Sequence, residues 1–189
     1  DVIIEEADRL RNLVDRMLGP YRPPNLQPLN IHEITERVFS LIEAETQGEL
    51  SLRRDYDPSI PDILADREQL IQALLNIVRN AMQAIDESGA LREGRITLRT
   101  RALRQFTIGQ IRHRLVCRLE VIDNGPGIPA EIVESIFYPM VSGRAEGTGL
   151  GLSITQNIVS QHQGLIECES TSGRTVFTLF LPLEPIPGD

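Results

Sequence analysis

Hydrophobic positions recur along this chain in two rhythms, and the switches between them mark out its elements. Over residues 1–18 the apolar positions Ile3, Ala7, Leu10, Val14 and Met17 fall three and four apart, the a/d spacing of a helix that packs on another helix. Gly19-Pro20 stops it. One helix cannot bury such a stripe alone, so it needs a partner helix from elsewhere or the flank of its own domain. A Pro-rich stretch, PYRPPNLQP, then reads as a linker. Asn30 predicts the N-cap of a helix over about 31–46, with Glu33 at the third helical position and a stripe of Ile34, Val38, Leu41 and Ile42. After a short strand near 50–55, Asp66 caps a helix of about 66–86 that carries Leu70, Leu74, Ile77, Ala81 and Ile85.

From Arg95 the rhythm changes to two. Ile96 and Leu98 alternate with Thr97, Arg99 and Arg101, and Leu115, Cys117, Leu119 and Val121 alternate with Arg114, Val116, Arg118 and Glu120. This predicts an antiparallel pair, Arg95–Leu103 and Arg114–Asp123, around a polar loop, with one face buried and an arginine-rich face in water. That wet face is either plain solvated surface or a dock for an acidic partner. A helix over about 151–163 and two more strands, Leu165–Ser170 and Thr175–Leu181, complete the chain. The order lacks the βαβα alternation of a doubly wound fold. It predicts an α+β, two-layer sandwich with helices on one face of a mixed sheet. The divisions are a helical segment (1–19), a linker (20–29), a domain (30–183) and a tail (184–189).

Composition narrows the chemistry. At 189 residues, 41% hydrophobic and 24% charged, the chain is ordinary for a soluble globular protein. A net charge of −8 argues against a general nucleic-acid or membrane-surface binder. No apolar run is long enough to span a membrane and no signal peptide is visible, and the two cysteines, Cys117 and Cys168, read as small buried thiols in a reducing compartment such as the cytoplasm. The chain opens inside a helical pattern without Met, as a fragment would. All 19 basic residues are Arg. Walker-A enzymes and protein kinases of the strand-Lys type need a Lys on the phosphates, so both are excluded. Gly147-Thr-Gly149-Leu-Gly151 also has the wrong spacing for a dinucleotide fold.

Three elements carry candidate chemistry. Asn76 and Asn80 lie four apart on one helix face, and an amide oxygen there can ligate Mg²⁺. Asp123-Asn124-Gly125-Pro126-Gly127 ends a strand. Its Asp can accept a hydrogen bond from an exocyclic amine such as adenine's, and its glycines let backbone approach a ligand. In GRAEGTGLGLSI, residues 143–154, four glycines fall in nine residues ahead of an apolar helix. Backbone N–H groups at such a helix start suit phosphate, and Arg144 can add a cation.

In this order and spacing the three resemble the Bergerat-type ATP-binding domain of sensor histidine kinases. N76IVRNA81 resembles its N box, D123NGPG127 its G1 box, I136FYP139 its F box and G147TGLGL152 its G2 box, and G164LIECESTSGRTVFTLFLP182 resembles its closing glycine and strand pair. Three further stretches, DVIIEEADRLRNLVDRMLGP, RDYDPSIP and FYPMVSGR…GTGLGLSI, are similar to the nitrogen-regulation branch of that family. The resemblance implies that Asp123 binds the adenine amine, with Gly125, Gly127 and Thr175 at the base pocket. It implies Mg²⁺ on Asn80, Asn76 near the phosphates, and Gly147, Thr148, Gly149, Leu150, Gly151 and Leu152 along the nucleotide. Residues 138–148 become a lid. The family often uses a Lys near the phosphates; without one, that role falls to Arg144.

The resemblance also implies partners. Residues 1–18 become the second helix of a dimerisation and phosphoacceptor hairpin whose first helix, with the reactive His, is absent from this sequence. A homodimer, the response regulator NtrC and a PII signal protein follow from the same branch. The activity implied is transfer of the γ-phosphoryl of MgATP to that missing His. Two other readings stay open. One is a Bergerat ATPase of the chaperone or repair kind, which would carry a catalytic Glu where Asn76 stands. The other is a nucleotide-gated module without catalysis. Of the three histidines, His32 sits in a first helical turn without the motif of a phosphoacceptor, His113 is expected in a loop and His162 at a helix end, all solvated.

Overall fold

The computed structural model describes residues 2–18, 23–138, 141 and 151–183, with residues 15–18 described by backbone alone. Its sheet grows from the period-two stretch, which runs further than the alternation suggests. β4 (Arg95–Ile108) and β5 (Ile111–Asp123) form one long antiparallel hairpin, with Ile108 opposite Ile111 across Gly109 and Gln110. Gly109 takes φ +61, as two-residue hairpin turns require. The polar loop expected between the strands is therefore itself strand. Phe106 explains why so polar a segment stays paired: its ring stacks on Phe180 with centroids 4.6 Å apart.

β7 (Arg174–Pro182) pairs antiparallel with β5, and β6 (Leu165–Thr171) pairs antiparallel with β7. β2 (Ser51–Asp55) lies parallel to β4 on the opposite edge. The strand order is β2-β4-β5-β7-β6, the mixed sheet the sequence predicts. Helices α2 (Ile31–Thr46), α3 (Arg67–Glu87) and α5 (Gly151–Gln161) cover one face. Their fully buried Phe39, Leu74, Ile77 and Ile85 meet Ile96, Leu98, Leu119 and Leu179 of the sheet in one core. The four-residue α4 (Ala130–Val133) bridges β5 towards the glycine-rich stretch.

Both expected caps form. Asn30 Oδ1 accepts from His32 N at 2.9 Å, and Asp66 Oδ1 accepts from Gln69 N at 3.1 Å. Glu33 leaves its cap and pairs with Arg67 at 3.3 Å instead. The Pro-rich stretch is only partly a linker. Gln27–Leu29 forms β1, antiparallel to β3 (Ile63–Ala65), and Asn25 N donates to Asp66 Oδ2 at 2.9 Å. Pro28 is tolerated because a two-stranded ribbon is all edge. Upstream, α1 (Val2–Leu18) exposes its stripe, with Ile3 80%, Leu10 57% and Val14 48% exposed.

The histidines are not solvated as expected. His113 is buried in β5. His162 is buried where α5 ends; its Nε2 accepts from Asp66 N at 3.0 Å, so Nδ1 carries the proton and donates to Ile158 O at 2.8 Å. His32 Nε2 meets Thr100 Oγ1 at 2.8 Å and its ring stacks on Tyr56, centroids 4.5 Å apart. On the open face of the sheet, Arg99 and Arg101 converge on Asp55 at 2.7 and 2.8 Å. Part of the wet arginine face is thus neutralised within the chain. Cys117 is buried and Cys168 half-buried, both as free thiols.

Candidate functional site

The register of the hairpins creates the site. Asp123, the last residue of β5, faces Thr175 of β7, and Thr175 faces Ser170 of β6. Strand parity puts all three on the helix-covered side, in one row at the end of the sheet. Asp123 is 5% exposed and Thr175 4%. The chain turns at once after Asp123, whose Oδ1 accepts from Gly125 N at 2.8 Å. A Cβ at Gly125 would stand 2.9 Å from that same oxygen and 3.3 Å from Ile85 Cγ1 on α3. Gly127 has φ +91, and a Cβ there would meet Thr171 O at 2.5 Å. Gly127 is therefore required for the loop to run past β6, while a Cβ at Gly125 would have to displace the Asp123 carboxylate. Asn124 pins the start of the turn, accepting from Arg95 N at 2.7 Å and donating to Glu93 O at 3.0 Å.

A hydroxyl pair closes the far side. Ile128 N donates to Ser170 Oγ at 2.8 Å, and Ser170 Oγ lies 2.7 Å from Thr175 Oγ1. Burial pushes the neighbouring Cys168 thiol up to about 12, with Asp123 and Glu169 adding to the shift, so it stays protonated. Phe137 meets Phe177 edge-on with centroids 6.1 Å apart, which places the F-box segment against the same end of the sheet.

α3 supplies the other wall. Asn76 and Asn80 lie half-buried one turn apart. Asn76 Nδ2 donates to Gly151 O at 3.3 Å, and Thr155 Oγ1 reaches Gly151 O at 2.9 Å and Ala73 O at 3.4 Å. The start of α5 is thus held against the middle of α3. Leu152 is buried in the core, which leaves only its backbone to face a ligand. Arg144, Gly147, Thr148, Gly149 and Leu150, with most of the expected lid, lie outside the described residues. Among the described residues no three His, Cys, Asp or Glu side chains gather as a metal cluster.

The structure brings Asp123, Gly125, Gly127 and Thr175 together at the sheet end, and Asn76 to Gly151 at the helix start. Sequence reasoning missed Ser170. The signal was in TSGR: a two-residue turn at Ser172-Gly173 sets Thr171 opposite Arg174 and hence Ser170 opposite Thr175.

The family described as "Histidine kinase-, DNA gyrase B-, and HSP90-like ATPase" matches residues 65–185. The chain belongs to this family. Among curated members, "Sensory histidine kinase/phosphatase NtrB" of Vibrio alginolyticus is 52% identical over 182 residues, 96% of this chain and 51% of that protein. The Salmonella typhimurium protein of the same name is 53% identical over the same spans. The chain thus spans about half the length of these relatives. Among solved structures, the catalytic domain of histidine kinase ThkA is 28% identical with a TM-score of 0.69, covering 84% of this chain and 96% of that one. ThkA in complex with the response regulator protein TrrA matches at 26% identity and a TM-score of 0.71, covering 99% of this chain and 51% of that one. Membership of this ATPase family implies that the chain binds ATP. Among the described residues no helix is long and apolar enough to cross a membrane.

Proposed function

We propose that this chain is the catalytic, ATP-binding domain of a cytoplasmic sensor histidine kinase of the NtrB kind, which transfers the γ-phosphoryl of ATP to a histidine on an upstream helix. The observation that carries this is the row Asp123–Thr175 at the sheet end, with a loop held by Gly125 and Gly127 passing over it and Asn76 tying α3 to the start of α5. Asp123 accepts from the adenine amine and Thr175 lines the base. Asn80 holds Mg²⁺, which supplies neutralising charge at the phosphates. Gly147, Thr148, Gly149, Leu150, Gly151 and Leu152 offer backbone N–H groups to the phosphates, and Arg144 supplies the cation that no Lys can. Residues 138–148 close over the nucleotide and keep water from it.

Asn76 decides between transfer and hydrolysis. An amide cannot take a proton from water, so position 76 lacks a general base. This favours transfer to a supplied nucleophile over an ATPase reading. The exposed stripe of α1 fits one helix of a dimerisation hairpin and supports divisions at 1–19, 20–29, 30–183 and 184–189, except that β1 (Gln27–Leu29) pairs with β3 and shifts the start of the domain to 27. A homodimer, relay to NtrC and control by a PII signal protein complete the reading, supported by identity to NtrB.

The test uses γ-labelled ATP, Mg²⁺, this chain and a separate hairpin fragment with the phosphoacceptor His. Acid-labile label should appear on the hairpin and vanish with Asn80→Ala or Asp123→Ala. Free phosphate as the sole product would favour the ATPase; stable label on this chain alone would overturn the proposal.

A further inference from the structure

Ser170 sits where three parts of the base pocket meet. It stands on β6, its Oγ accepts from Ile128 N at the end of the glycine loop, and it lies 2.7 Å from the Thr175 hydroxyl. Each hydroxyl has one proton and two lone pairs. An oxygen that accepts from an N–H becomes a stronger donor, so a chain running N–H to Ser170 to Thr175 is reinforced along its length. In that chain the Ser170 proton is given to Thr175 Oγ1. The Thr175 proton is then turned away from Ser170, beside Asp123 in the same row.

We infer that Ser170 is a specificity-determining positioning residue: it orients Thr175 as a hydrogen-bond donor next to the acceptor Asp123. The inference rests on the adenine-nucleotide reading above. A carboxylate acceptor beside a hydroxyl donor complements an amine donor beside a ring-nitrogen acceptor. Adenine presents that pair, N6 and N1, on one edge. Guanine presents the reverse, an oxygen acceptor and an N–H donor. Thr175 donates to the ring nitrogen directly or across one water. Without Ser170 the Thr175 hydroxyl is free to rotate, and either polarity can be read.

The test compares ATP with 1-deaza-ATP, in which a C–H replaces N1, by calorimetric titration of this chain. The wild type should prefer ATP roughly tenfold, as expected for one oriented hydrogen bond. Ser170→Ala should lower the ratio part of the way towards one and narrow the gap between ATP and GTP, and Ser170→Thr, which keeps the hydroxyl, should restore both. Thr175→Val should bring the ratio to about one, and adding Ser170→Ala to it should change nothing more. A Ser170→Ala chain that weakens both nucleotides equally, or keeps the wild-type ratio, overturns the inference. Failure of the wild type to bind ATP at all would sink the adenine reading with it; ATP binding with an unmoved ratio sinks this inference alone.

Discussion

Along the β2 edge, Glu36 takes Arg54 through both carboxylate oxygens at 2.6 and 3.1 Å and accepts the Tyr56 hydroxyl at 3.0 Å, while Asp55 takes Arg99 and Arg101. At the other end of the sheet, Asp123 has hydroxyls as its row neighbours, and the loop beyond it turns on Gly127, which admits no side chain, and on Gly125, where a Cβ would press on the Asp123 carboxylate. The first cluster holds more charge, yet each of its charges faces an opposite one within the chain. The second holds little charge, and its geometry is built around backbone that must stay bare. Under the proposed function, density of ionisable groups is a poor guide to the ligand site. Glycines beside a buried strand-end carboxylate are a better one.

The sharpest way to break this contrast is a pair of matched amides. Asp123→Asn should weaken ATP by about 2–3 kcal/mol, the range for a hydrogen bond to a charged group, which is roughly 30- to 150-fold in affinity. Asp55→Asn should leave ATP affinity unchanged. Equal losses in titration calorimetry would erase the distinction between the two ends.

Backbone comes next. Gly127→Ala places a Cβ at φ +91 against Thr171 O. It should cost about 2 kcal/mol in urea unfolding. An unchanged midpoint would mean that the loop can move away from β6.

The third prediction concerns His162, which joins α5 to the cap of α3. Burial holds its pKa below the ordinary 6.5, outweighing the Ile158 carbonyl and Asp66, which pull it up. The unfolded chain therefore takes up this proton first as acidity rises. The stability His162 contributes is complete above about pH 6.5 and is lost as pH falls through the lower folded value. Melting temperatures from pH 7.5 to 5 should fall more steeply for the wild type than for His162→Gln. His32, shifted the same way chiefly by burial, is present in both chains and cancels in the comparison. Parallel slopes would refute the role.

The smallest effect belongs to the charged edge. Arg54 and Glu36 are 44% and 46% exposed, so solvent screens the pair, and Glu36→Gln should cost about 0.5 kcal/mol at low salt and less at high salt. A loss of several kcal/mol would show that the edge network matters more than its exposure implies.

The helix starts were legible because Asn30 and Asp66 are the right side chains one residue ahead of apolar periodicity, and both cap as expected. The core face of β4 and β5 was legible from strict alternation. The length of their hairpin was not, because residues 104–114 are mostly polar and their pairing is secured by Phe106 on the distant Phe180. β1 and β3 are three residues each, too short for any period, and Pro28 points away from strand. Histidine burial was illegible for a related reason: the acceptor and donor of His162 come partly from Asp66, remote in sequence. The motif residues Asp123, Gly125 and Gly127 could be read from spacing. Ser170 could not, because its importance lies in which strand it faces.

β2 joins the sheet by a parallel pairing with β4, and between them the chain must first pass through β3 and α3. Closing that circuit costs conformational entropy that the tight β4–β5 turn does not incur. This difference predicts a direction of assembly, with the hairpin first, α3 laid over it next and the edge strand last. In a pulse-labelling refolding experiment, amides of Arg118 and Glu120, which bond β4 from β5, should gain protection before those of Arg53 and Asp55, which bond β4 from β2. On the native protein the same order should run backwards, with the β2 edge the first part of the sheet to open.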